Sequence, residues 1–127
     1  MPKSVIATEH APAAVGPYSQ GVTANGFIFT AGQVPLDPAT GKLVEGDIQV
    51  QARQSLTNVQ AILEAAGTSM ANVVKATVFL ADIGDFAAVN EVYAEFFEEP
   101  YPARSALEVA NLPLGAQVEI EVVATLE

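Results

Sequence analysis

Two periods alternate along this chain. Short runs rich in Val, Ile, Phe and Thr, bounded by Gly, Pro, Asn and Asp, predict strands. Two longer stretches repeat their apolar residues at helical spacing. Residues 4–8 form the first predicted strand. A loop punctuated by Pro12 and Gly16-Pro17 leads into a second short one, and Asn25-Gly26 marks a hairpin turn before a third over 27–33. The segment 35–41, with Asp37-Pro38 and Thr40-Gly41, is a surface turn. The first helix is predicted over 48–66, where Ala52, Leu56, Val59, Leu63 and Ala66 recur on one face. Asp47 is placed to cap that helix and Gly67 to end it. Residues 73–80 read as a central strand, apolar on both faces. A second helix over 86–98 has the stripe Phe86, Val89, Tyr93, Phe96 and Phe97, which reads as core, with Asn90 at the edge of the stripe. Strands over 103–109 and 116–126 follow, separated by the turn Leu112-Pro113-Leu114-Gly115.

The resulting order, β-β-β-α-β-α-β-β, predicts an α+β domain. It comprises one mostly antiparallel mixed sheet of about six strands with two helices on one face. Two helices leave the other face uncovered, with residues such as Val78 or Ile120 offered to it. An apolar sheet face without cover predicts self-association.

Composition narrows the chemistry. The 127 residues make a single domain, 1–127, with 50% hydrophobic and 16% charged residues, a balance suited to a packed core. Fifteen acidic residues against five basic ones leave a net charge of −10. That field repels nucleic acid and anionic membranes. No apolar run approaches the roughly 20 residues of a membrane span, and residues 1–4 do not open a signal peptide. The chain has no cysteine, which excludes thiolate chemistry and suits a cytoplasmic location. It has one histidine, His10, too few for a histidine metal cluster, and no glycine-rich phosphate loop. Acid–base chemistry on a small anion, without metal or cofactor, is what remains.

Arg104 is the residue that such chemistry needs. It lies inside an apolar strand, where a permanently charged guanidinium requires a partner. The chain's other arginine, Arg53, lies on a polar helical stretch within reach of water. Strand alternation puts Arg104, Ala106 and Glu108 on one face, and Glu119 and Glu121 together on one face of the last strand. If those strands are neighbours, Arg104 meets a carboxylate, which is Glu119, Glu121 or Glu108. The plainer reading is a buried Arg–Glu pair that joins two strands. The functional one is an arginine that grips a small anion beside Glu119. Tyr18, after Gly16-Pro17, reads either as a core-edge tyrosine or as a phenol facing a pocket.

The segments Ala11-Pro12-Ala13-Ala14-Val15-Gly16-Pro17-Tyr18, Ala31-Gly32-Gln33-Val34-Pro35, Asp85-Phe86-Ala87-Ala88-Val89-Asn90, Pro102-Ala103-Arg104-Ser105 and Val118-Glu119-Ile120-Glu121 occur in this order. With them the whole chain resembles the RidA family, also called YjgF or reactive intermediate deaminase A. The resemblance implies a chorismate-mutase-like fold and a homotrimer whose sheets close a central barrel, with sites in clefts between subunits. It implies hydrolysis of enamine and imine intermediates such as 2-aminoacrylate and 2-iminopropionate to 2-keto acids and ammonia. That is a 2-iminobutanoate/2-iminopropanoate deaminase, a hydrolase acting on C–N bonds. Arg104 then matches the arginine that binds the substrate carboxylate and Glu119 the acid that activates water. Tyr18, Ala31, Asn90 and Ala106 fall at pocket positions. Ala31 stands where well-known members carry Ser and Ala106 where they carry Cys, so the pocket's size and polarity differ. The other readings are a non-enzymatic trimer that binds small carboxylates, and an endoribonuclease or translation inhibitor, which the charge disfavours.

Overall fold

A computed structural model describes residues 2–127. Among them six strands form one sheet: β1 (Ser4–Ile6), β2 (Gly21–Ala24), β3 (Phe27–Thr30), β4 (Val73–Leu80), β5 (Ala103–Glu108) and β6 (Val118–Thr125). Two helices, α1 (Ile48–Ala65) and α2 (Phe86–Phe96), cover one of its faces. The strand order is β1-β2-β3-β6-β4-β5, antiparallel throughout except for β4 and β5. This is the mixed α+β architecture that the sequence predicts.

Local chemistry explains the elements. Asn25 and Gly26 both take positive φ (53° and 82°), so the two-residue turn matches the right-handed twist of β2 and β3. Asp47 Oδ1 accepts from the Val50 amide at 3.0 Å and caps α1. At the other end Gly67, with φ 84°, turns the chain back. Its amide and that of Thr68 then satisfy the carbonyls of Glu64 and Leu63, both at 3.0 Å. The β4–α2–β5 unit makes its two strands parallel, as a helical crossover requires.

The core lies between α1, α2 and the covered face. Ala52, Leu56, Val59, Ile62 and Leu63 of α1 pack with Val89 and Val92 of α2 over Ile28, Ala76, Val78, Leu80, Val118, Ile120 and Ala124. Two expectations are corrected here. Val78 and Ile120 do not belong to an uncovered face, because both lie under the helices and are excluded from solvent. Alternation instead turns Val5, Phe27, Phe29, Phe79 and Leu107 to the open face, together with Lys75, Thr77, Glu119 and Glu121. That face is still apolar in part: Phe29 is 43% and Val5 61% exposed.

The second correction concerns the expected Arg–Glu neighbours. β5 and β6 are not adjacent, because β4 runs between them. Arg104 pairs in register with Ala76, a helix-side residue, whereas Glu119 pairs with Phe79 on the open side. The two side chains therefore leave opposite faces of the sheet, two strand spacings (about 10 Å) apart across it and three residues (about 10 Å) apart along it. Glu121 is excluded in the same way. Glu108 shares Arg104's face, yet its Oε1 accepts from the Ile83 amide at 2.9 Å.

Several boundaries also shift. β1, β3, β6 and α2 are shorter than predicted, because segment 31–33 leaves β3 to bridge onto β6 and α2 gives way to extended backbone at Phe97.

Candidate functional site

Arg104 lies on β5, the edge strand of the sheet, and its half-buried side chain turns toward α2. Phe86, Asn90 and Tyr93 stand four and three residues apart on that helix and so share one face. They surround the guanidinium. Nη1 donates to Asn90 Oδ1 at 2.7 Å, and Cζ stands 4.7 Å from the Tyr93 ring centroid and 5.1 Å from that of Phe86. A guanidinium over aromatic faces keeps its charge while its flanks are dry.

Among the described residues no carboxylate pairs with Arg104; the ion pair present is the exposed one between Arg53 and Glu95, at 2.8 Å. Of five N–H donors, one is taken by Asn90, and Arg104 borders a cleft of about 370 Å³. Tyr93, Ala94, Tyr101 and Pro102 line that cleft with Asn90 and Arg104. A planar cation held by a neutral amide and two rings keeps a charge that a carboxylate could pair with in two parallel bonds.

Glu119 forms a separate arrangement on the open face. Its side chain is half-buried and makes no hydrogen bond among the described residues. Burial pushes its carboxyl above the ordinary glutamate value, and the neighbouring Glu121 adds to the effect. Gly32 lies directly against that carboxyl. The segment that carries Gly32 leaves β3 and bonds to β6: Gln33 N donates to Ile120 O at 2.8 Å and Ile120 N to Gln33 O at 3.1 Å.

Ala31 and Tyr18 belong to this second arrangement through the chain. Ala31 N donates to Gln20 O at 2.8 Å. The buried Gln20 side chain ties down the loop before it. Oε1 accepts from Thr8 N at 2.7 Å, and Nε2 donates to the carbonyls of Thr8, Ala11 and Pro12 at 3.0, 3.1 and 2.7 Å. Tyr18, two residues before Gln20, is 51% exposed, and its Oη accepts from Val15 N at 3.4 Å. It lines a shallow cleft of about 390 Å³ together with Val5, Ile6, Thr8 and Gln20.

The residues singled out in the sequence thus fall into two groups. Arg104 and Asn90 meet directly. Glu119 lies on the other side of the sheet, with Gly32, the residue after Ala31, against its carboxyl. Ala106 shares Arg104's face but packs against the core without lining the cleft. Tyr93 and Phe86 were missed as site residues, having been read as core stripe only. The signal was available: both share a helix face with Asn90. Tyr93 is buried beneath the cation with its hydroxyl unpartnered, and burial pushes that hydroxyl upward against the opposing pull of Arg104.

Fold and site define a class: a small α+β domain with a carboxylate-ready arginine on one side of its sheet and a half-buried acid on the other. Comparison with known proteins places it further. Residues 8–126 match the family model described as Endoribonuclease L-PSP. A RutC family protein of Pyrococcus horikoshii is 56% identical over 125 residues, 98% of this chain and 99% of that one. A 2-iminobutanoate/2-iminopropanoate deaminase of Salmonella typhimurium is 54% identical over 122 residues, 94% of each chain. The crystal structure of Escherichia coli TdcF with bound serine superposes with a TM-score of 0.91 at 49% identity, over 96% of this chain and 98% of that one. The chain belongs to the endoribonuclease L-PSP family, the YjgF/RidA family of the sequence resemblance.

Proposed function

We propose that the protein is an imine deaminase that hydrolyses 2-iminopropanoate and 2-iminobutanoate, and their enamine precursors such as 2-aminoacrylate, to 2-keto acids and ammonia. We further propose that it works as a homotrimer in which Arg104 of one subunit and Glu119 of the next share a site. The observation that carries this reading is the half-buried guanidinium of Arg104, which has no carboxylate partner among the described residues. A cation oriented by Asn90, Phe86 and Tyr93 and bordering a cleft is suited to an anionic ligand. Relatives of more than half identity are named for this reaction. The opposite placement of Arg104 and Glu119 in one chain fits a site completed by a neighbour.

The chemistry follows from the two groups. Arg104 holds the substrate carboxylate and fixes the adjacent C=N or C=C bond. Burial and the neighbouring Glu121 shift Glu119 upward, toward the range in which a carboxyl can both give and take a proton. Glu119 passes a proton to the methylene carbon of the enamine, which becomes the protonated imine. The carboxylate so formed takes a proton from a water as the water's oxygen bonds to the imine carbon. The resulting carbinolamine collapses to the C=O of the keto acid as the reprotonated Glu119 gives its proton to the amine nitrogen, the C–N bond breaks, ammonia leaves, and the hydroxyl proton returns to the carboxylate.

The family's endoribonuclease description is a weaker reading for this chain. Its net charge is −10, and its single histidine, His10, is exposed near the N-terminus. The test is an imine-hydrolysis assay in which an amino-acid oxidase generates the substrate. Arg104→Ala is expected to lose more than about 10²-fold in kcat/KM, the scale of a lost charge-assisted anchor and its orientation. Turnover of 2-iminopropanoate at the wild-type rate by that variant would sink the assignment. Glu119→Gln separates enzyme from binding module, since it should retain the ligand and lose turnover.

A further inference from the structure

We infer that Gly32 is a positioning residue for Glu119: the side chain it lacks is the space in which the carboxyl group sits. This rests on the reading of Glu119 as the acid–base group. A Cβ built on Gly32 would fall 2.8 Å from Glu119 Cδ and 3.1 Å from Cγ, and would overlap Oε2 outright. Ordinary carbon contacts begin near 3.5 Å, so carboxyl and methyl cannot both be there.

The backbone cannot yield to resolve the clash. Gln33 is bonded to Ile120 through both its N–H and its C=O, and Ala31 N is bonded to Gln20 O, so Gly32 is clamped from both sides beside β6. The carboxyl is the part free to move, because no hydrogen bond holds it among the described residues.

Conformation is not the reason for glycine here. The glycines with positive φ are Gly26, Gly41, Gly46, Gly67 and Gly115, and Gly32 is not among them. Alanine fits the backbone and fails only on space. Gly21 is a useful contrast, since its tightest neighbour is the core methyl Ile62 Cγ2, at 2.9 Å, so that a methyl there disturbs packing and touches no titrating group.

The experiment compares Gly32→Ala, Glu119→Asp, the double variant and Glu119→Gln in the assembled enzyme. Gly32→Ala is expected to lower kcat about 10²-fold while KM stays near wild type, since the Arg104 anchor is untouched. In the ligand-free protein, a ¹³C NMR titration of Glu119 is expected to move to lower pH, because the displaced carboxyl reaches water. Shortening the acid by one methylene makes room for the methyl. The double variant is therefore expected to be no worse in kcat or melting temperature than Glu119→Asp alone, a coupling that a general packing defect does not produce.

Wild-type kcat and an unmoved Glu119 titration in Gly32→Ala overturn the inference. So does additive loss in the double variant, and its melting temperature decides the matter even where Gly32→Ala is too unstable to assay. A fully active Glu119→Gln overturns the assigned role of the acid instead, and the titration and the coupling still report whether Gly32 places the carboxyl.

Discussion

Asn90 decides what Arg104 is for. An aspartate at that position would reach the same Nη1, at 2.7 Å from the present Oδ1, and would neutralise it. The amide orients the guanidinium and leaves its charge unspent. Asn90→Ala removes a hydrogen bond to a charged group, worth about 1.5–3 kcal/mol, and is expected to raise KM for 2-iminopropanoate by roughly 10-fold or more. Asn90→Asp is expected to raise KM further without lowering the melting temperature, because it would supply the counter-charge that the proposed substrate carboxylate brings. Steady-state kinetics alongside thermal melts check both; an Asp variant that binds as well as wild type means the cleft does not hold an anion. At this scale the sequence was readable where a residue broke its local pattern. Arg104 stood out in an apolar strand. Tyr93 did not, because an aromatic on a buried stripe and an aromatic under a cation have the same spacing, and only the fold puts the cation above it.

Among the elements, those defined by neighbours in sequence were legible and those defined by distant pairing were not. The Asn25-Gly26 hairpin, the Asp47 cap and the Gly67 stop lie where turn and cap chemistry demand. The insertion of β6 between β3 and β4 depends on register across some ninety residues, as in the bond from Val122 N to Thr30 Oγ1 at 3.1 Å, and no local pattern encodes it. That insertion separates Arg104 from Glu119. The loop before β2 shows the same limit. Its course follows from one side chain, Gln20, which satisfies four backbone groups of residues 8–12 and thereby holds the approach to Tyr18. Gln20→Leu leaves those groups without partners, at about 1–3 kcal/mol for each that stays dry. The variant is expected to lose several degrees in melting temperature and to show rapid amide exchange at Thr8. Protection of that amide equal to wild type would mean that the loop is held by something else.

Over the whole molecule, an open apolar sheet face and a site divided between two faces point to one solution. Burying Val5, Phe29 and Leu107 against other subunits removes the exposed surface. In the trimer proposed above, a cyclic arrangement would bring the open-face acid of one subunit to the edge-strand arginine of the next. Such sharing predicts complementation between two dead variants. Arg104→Ala subunits still carry Glu119, and Glu119→Gln subunits still carry Arg104. In trimers mixed at equal ratio, an intact site needs Arg104 from a Glu119→Gln subunit and Glu119 from an Arg104→Ala neighbour, which random assembly provides at about a quarter of the sites. Mixing the two inactive proteins under conditions that exchange subunits, with native mass spectrometry to verify mixed trimers, is expected to restore about that fraction of wild-type deaminase activity. Were Arg104 and Glu119 to act within one chain, every site in the mixture would lack one of them, and mixed trimers would stay as inactive as their parents.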